Sequence, residues 1–254
     1  MPRGMWQVMD RIIKITISLF VIILVSFVAT VGYTAYVDHA YRSSLSGTYS
    51  YTCTITTDSP LTNVTFFLPV PADPSGNSPV ITRMSSHEVS GVPETWTTEL
   101  YETGKGTLVK VTAPAIIPPV GTTAKDPYTI TLSTDAASKT LIDTGNPASA
   151  SPMYRPIQDL KPAACRDSSV PAAGGQCFTY LTSLYASYQA DPNAAVSFHS
   201  TLTGKNTWTV FEPKSNEYHT SVYLLMFGEQ KGWTPVAGYL EAGIGSYDAP
   251  VSVP

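Results

Sequence analysis

The sequence predicts a mainly β protein behind one N-terminal transmembrane helix, on three observations. An uncharged apolar run occupies residues 15–37, apolar and hydroxyl side chains alternate from Gly47 onward, and Gly, Pro, Asn and Asp punctuate that alternation at short intervals. No long amphipathic helical pattern follows residue 46. The expected body is therefore an antiparallel β-sandwich over residues 47–254, either single or divided into two sandwiches near residues 144–176.

The leader comes first. Residues Ile15 to Tyr36 read ITISLFVIILVSFVATVGYTAY, long enough as a helix rising about 1.5 Å per residue to cross a hydrocarbon layer of about 30 Å. Arg3, Arg11 and Lys14 precede this run with only Asp10 against them, whereas Asp38 and His39 open the far flank. The positive-inside rule then makes residues 1–14 cytoplasmic, residues 38–46 a juxtamembrane linker and the rest extracellular, a single-pass cell-membrane topology. Trp6 on one side and Tyr33 and Tyr36 on the other suit the two headgroup layers. Two alternatives stay open. A cleaved signal peptide has a shorter apolar core and a small-x-small site, for which Thr30-Val31-Gly32 is a poor match. A pilin-like leader cut after Gly4 normally starts its apolar helix at once, and here Asp10, Arg11 and Lys14 intervene.

Outside the leader, 12 Lys and Arg stand against 18 Asp and Glu, a net charge of −6. A negative surface repels phosphate backbones, which argues against nucleic-acid binding. Only 13% of residues are charged, so exposed strand faces must carry hydroxyls instead of ion pairs, as extracellular sheet domains do. Cys165 and Cys177 bracket the Pro- and Gly-rich stretch RDSSVPAAGGQ and are expected to form a disulfide, leaving Cys53 as a buried small hydrophobe.

The strands follow in order. Tyr49, Tyr51, Cys53 and Ile55 share one face, with Thr48, Ser50, Thr52, Thr54 and Thr56 on the other. Thr62 to Val70 is next, confined by Pro69 and Pro71 to a sheet edge or a strand end. Val80–Arg83, Glu94–Tyr101, Thr107–Ala113 and Tyr128–Thr134 are further candidates, the middle pair joined by a turn at residues 102–106. Residues 143–176 hold five prolines and read as an irregular excursion or interdomain link. Cys177–Gln189 favours a strand. Val196–Leu202 is a strand, Gly204-Lys205-Asn206 reads as a turn, and Trp208 and Val210 resume the alternation. Tyr218 to Met226 and Trp233 to Glu241 supply the last strands.

Linear signatures of chemistry are weak. Asn63-Val64-Thr65 is an N-glycosylation sequon on the solvent face of its strand. His39, His87, His199 and His219 show no zinc-ligand spacing, although His199 and His219 fall on neighbouring strands near Glu217. Glu88, Glu94, Glu99, Glu102 and Glu241 offer no spacing that selects a glycosidase pair. The nucleophile elbow and the P-loop are missing, and Gly243-Ile244-Gly245 lacks the third glycine and helix of a dinucleotide site. Asp73 to Asn77 is an acidic turn without the ligands of a calcium loop. Trp96, Trp208, Trp233 and the tyrosines are the best surface candidates, with core packing as the competing explanation.

The segments LTNVTFFLPVP, LTGKNTWTVFEPKSNEY and GWTPVAGYLEAGIGSY resemble archaeal cell-surface proteins that carry one N-terminal membrane helix and an external sheet domain. The resemblance implies an envelope location and no activity. The resulting expectation is a membrane-anchored extracellular β-domain without cofactor, touching lipid through residues 15–37 and binding an envelope protein or glycan. An anchored hydrolase of envelope polymers and an accessory subunit of a pilus-like filament are the alternatives.

Overall fold

The computed structural model describes residues 3–103, 106–166 and 175–247. The chain forms two compact units, one built on residues 1–45 with 208–213, the other on residues 46–207 with 214–246.

The first unit is α1 (Arg3–Ser44), an unbroken helix of 42 residues, long and apolar enough to cross a membrane. Residues 38–44, expected to form a linker, are its last two turns. Side chains 13–36 are exposed, whereas Val37 and Tyr41 are buried. Tyr41 meets Trp208 edge to face, with ring centroids 5.8 Å apart, and Ser44 Oγ accepts the Thr209 N–H at 2.9 Å. These contacts continue the helix past the apolar run.

The second unit is almost entirely sheet. Its first strands are β1 (Ser46–Thr57), β2 (Leu61–Pro69) and the short β3 (Pro71–Ala72). Val80–Arg83, expected as a strand, lie within α2 (Pro79–Ser85): Ser78 Oγ accepts the Ile81 N–H at 3.0 Å, and Pro79 occupies the first helical turn, a start signal that outweighs the β-branched residues after it. Next come β4 (Thr97–Thr103), β5 (Gly106–Ile116), β6 (Tyr128–Ser138), a single turn α3 (Pro147–Ala150), β7 (Met153–Tyr154) and β8 (Gln158–Pro162). The long strands β9 (Gln176–Gln189), β10 (Ala195–Thr209), β11 (Pro213–Phe227) and β12 (Gln230–Gly245) complete the chain.

The sandwich expectation is corrected here. The main strands form one ten-stranded sheet in the order β4-β5-β2-β9-β12-β11-β10-β1-β6, with β8 also paired to β9. Two sandwiches are equally absent, because early strands interleave with late ones: β1 lies beside β10 and β2 beside β9. If flat, this sheet would hold its two edges roughly 38 Å apart at about 4.8 Å per strand. Yet Leu100 of β4 and Leu132 of β6 line one small cavity together with Tyr51, Leu68 and Met84. The sheet therefore curls into a half-barrel, a sharper form of the twist that L-residues impose. The segment after α2 ties in at the open side, where Ser90 exchanges two backbone hydrogen bonds with Ser133 of β6 at 2.9 and 3.1 Å. Gly91, at φ +80°, allows that approach, since a Cβ there would collide with the Thr131 carbonyl.

One face of every long strand fills the interior, including Ile55, Phe66, Leu184, Phe198, Val222 and Leu240. The proline-rich excursion is not a link between domains. Its first half packs into this interior, with Met153 and Tyr154 fully buried. The Tyr154 hydroxyl shares a hydrogen bond with Ser200 Oγ at 2.8 Å, and Tyr218 donates to the Pro152 carbonyl at 2.6 Å. Arg155 Nε donates to the Ala72 carbonyl at 2.9 Å beside the β3–β7 pair.

Candidate groove on the outer face

The hydroxyl-bearing face of the sheet is where a ligand has access. Strand parity turns Thr54 and Thr56 of β1, Ser197 and His199 of β10, Ser221 and Tyr223 of β11, and Thr179 and Leu181 of β9 outward. They floor a groove of about 820 Å³, within the range of small-molecule and short-oligomer sites.

One wall is formed by Asp159, Lys161 and Arg166 of the excursion. Lys161 of β8 aligns with Thr179, and the Ala163 N–H donates to the Cys177 carbonyl at 2.8 Å. Cys165 is bonded to Cys177, with their Cα atoms 5.2 Å apart. That staple sets Arg166 over the Tyr239 ring at 4.1 Å, while the Arg166 N–H donates to the Tyr239 hydroxyl at 2.8 Å. Burial is the main cause raising the Tyr239 phenol above its ordinary pKa, so it remains a neutral donor and acceptor.

The lining is rich in neutral hydrogen-bonding groups. Thr56 Oγ1 and Ser197 Oγ lie 2.6 Å apart, and the His199 and Tyr223 rings meet at 6.2 Å. Among the described residues Asp159 is the one carboxylate of the lining, and it sits 3.4 Å from Lys161. Further along the same outer face, Phe67, Tyr101, Tyr185 and Trp233 form a cluster, with Phe67–Tyr185 at 5.4 Å, Tyr185–Trp233 at 5.5 Å and Phe67–Tyr101 at 5.6 Å. Tyr101 and Trp233 are 49% and 42% exposed, so their rings offer open faces. Such a surface donates and accepts many weak hydrogen bonds and stacks flat apolar faces.

The other candidates separate on inspection. Of the three tryptophans singled out, Trp96 and Trp208 are buried and only Trp233 is a surface residue. His199 belongs to the groove, whereas His219 lies between Glu217 at 3.2 Å and Glu241 at 3.9 Å, with Lys205 also on Glu217 at 3.0 Å. Among the described residues no group of three or more His, Cys, Asp or Glu is arranged to hold a metal ion. Glu88 pairs with Arg83 and Glu99 with Lys110. Cys53 is fully buried, and burial pushes its thiol up to about 12, which removes thiolate chemistry at neutral pH. Asn63 is exposed at a β-bulge with φ +54°, and its Nδ2 donates to Gln189 Oε1 at 3.3 Å. Asp73 accepts the N–H groups of Ser75 and Asn77 at 2.8 and 3.0 Å, a self-contained turn.

Sequence reasoning did not find the groove, because its wall comes from a segment without periodicity. One signal was present in β11: opposite the core residues, the strand carries Tyr223, Leu225 and Phe227, all exposed and too apolar for an ordinary solvent face. An N-terminal apolar helix ahead of a disulfide-bonded β domain is the pattern of an extracytoplasmic protein. Comparisons with protein families, with characterised proteins and with solved structures find no match.

Proposed function

We propose that the chain is a membrane-anchored β-domain protein of the cell envelope, N-terminus cytoplasmic and domain outside, that binds envelope glycan without turning it over. The observation that carries this reading is the outer-face groove, whose hydroxyl-rich floor and tyrosine faces match a polyhydroxylated ligand, with Lys161 and Arg166 of the wall as further donors. An ionised catalytic dyad would need converging carboxylates, and among its described residues the groove brings one, already beside a lysine. Retention of the helix is supported by its last turns, since Val37, Tyr41 and Ser44 are part of the fold.

The test is co-sedimentation of the full chain in nanodiscs with envelope polysaccharide from the native host, assayed in parallel for new reducing ends. Saturable binding is expected, weakened about tenfold in Tyr223→Ala by loss of one stacking face, with the polymer left intact. Release of fragments would replace this reading with the anchored hydrolase, and absence of binding would leave an envelope protein as the ligand. A second reading, a subunit of a pilus-like filament, is favoured by the unbroken α1 with its bare apolar length. N-terminal sequencing decides it, because that class requires cleavage after Gly4.

A further inference from the structure

We propose that the β10–β11 turn is a second membrane contact, placing Phe211 in the outer headgroup layer beside Tyr33 and Tyr36. The inference rests on the anchored reading above and adds a lipid-binding element that the helix alone does not require.

The level of the turn follows from the helix. From Ile15, where the uncharged run begins, about 30 Å of helix is 20 residues and ends near residue 35, which matches the hydrocarbon thickness and sets Tyr33 just inside its outer boundary. Tyr36 lies one turn further. Water begins just beyond, where Asp38 and Arg42 pair at 2.8 Å along the same helix. Phe211 comes back to the tyrosine level and not to the charged one. Its ring stacks on Tyr33 at 6.2 Å with planes 14° apart, and it lies 6.3 Å from Tyr36.

Phe211 is nonetheless 69% exposed, and Tyr33 and Tyr36 are 59% and 56% exposed. The three rings therefore form one apolar surface continuous with the bare side chains of α1. A turn that faces water ordinarily carries Gly, Asn, Asp or Ser, whereas this one reads Val210-Phe211-Glu212, with an aromatic ring at its centre and a carboxylate that the aqueous side of the headgroup layer accommodates. Nor is the placement of the turn loose, because Thr209 is hydrogen-bonded to Ser44 through both its N–H and its carbonyl at 2.9 Å, and Trp208 packs on Tyr41. An aromatic ring held at headgroup depth next to two tyrosines has lipid as its natural surrounding, as in the aromatic belts of membrane proteins.

The test uses the full chain in phosphatidylcholine vesicles, labelled with an environment-sensitive fluorophore at Phe211→Cys, with Val28→Cys as the lipid reference and Val120→Cys, a fully exposed domain position, as the water reference. Quenching by lipid-borne nitroxides at Phe211→Cys is expected to exceed that at Val120→Cys by roughly threefold, strongest for a shallow nitroxide. If Val28→Cys is quenched while Phe211→Cys behaves as Val120→Cys does, the turn is out of the membrane and the proposal falls with the anchor intact. If the Phe211→Cys label is shielded from lipid nitroxide and aqueous iodide alike, a second copy covers it and the proposal also falls. Loss of quenching at Val28→Cys overturns the anchored reading itself.

Discussion

The interior is unusual in its tyrosines. Tyr154, Tyr180, Tyr188 and Tyr218 are all essentially fully buried, and three of them resolve the cost of burying a hydroxyl by finding a partner. Tyr180 shares a hydrogen bond with Thr220 Oγ1 at 2.7 Å, Tyr154 bonds Ser200 and Tyr218 bonds the Pro152 carbonyl. The Tyr188 hydroxyl has no partner among the described residues. Removing the two kinds of hydroxyl must then have opposite effects. Tyr180→Phe strands Thr220 Oγ1 and is expected to lower stability by about 1–3 kcal/mol, whereas Tyr188→Phe deletes an unpaired group and should be neutral or stabilising by up to about 1 kcal/mol. Urea midpoints of the two variants in detergent check this, and equal losses would show that Tyr188 has a partner in solution.

Element boundaries depend on neighbours more than on local chemistry. Gly204-Lys205-Asn206 carries the composition of a turn, yet β10 runs straight through it, paired to β1 from Ser46↔Thr207 to Thr57↔Val196. Gly204 is there because the Tyr218 ring covers it: a Cβ would stand 2.2 Å from Tyr218 Cε1. Asn206 is 1% exposed and holds the loop after β6, accepting the Ile142 N–H at 3.0 Å and donating to the Ile142 carbonyl at 2.9 Å. Gly204→Ala should therefore destabilise by about 3 kcal/mol, since Tyr218 is pinned by its own hydrogen bond and cannot retreat. A thermal melt within about 1 °C of the parent would refute that account.

At the scale of the β domain, the disulfide has a structural and a functional consequence. It closes a 12-residue separation and so lowers the entropy of the unfolded chain, and it fixes the wall of the groove. Replacing Cys165 and Cys177 together with serine is expected to cost about 3 kcal/mol in chemical denaturation by the loop-closure estimate. The same variant should bind polysaccharide more weakly than its stability loss explains, because Arg166 loses its tether. An unchanged denaturation midpoint in reductant would show that the β8–β9 hydrogen bonds hold the segment unaided.

Several features were legible in the sequence because they are local. Alternation named the inward faces of β1, β2, β10 and β11 residue by residue, the uncharged leader marked α1, and short spacing paired the cysteines. The end of α1, the start of α2 and the straight course of β10 were not legible, since a cap, a seat on Trp208 and a ring over a glycine each outweigh propensity. Sheet order was hidden for a deeper reason. A sandwich and a curled single sheet bury the same alternate residues, so periodicity is identical in both, and only the pairing of β2 with β9 and β1 with β10 distinguishes them. By itself the sequence determined an apolar helix and a set of one-sided strands. Tertiary structure alone decided that those strands share one curled sheet and that an aperiodic, disulfide-bound segment walls a groove on its outer face, because both depend on contacts between residues far apart in the chain.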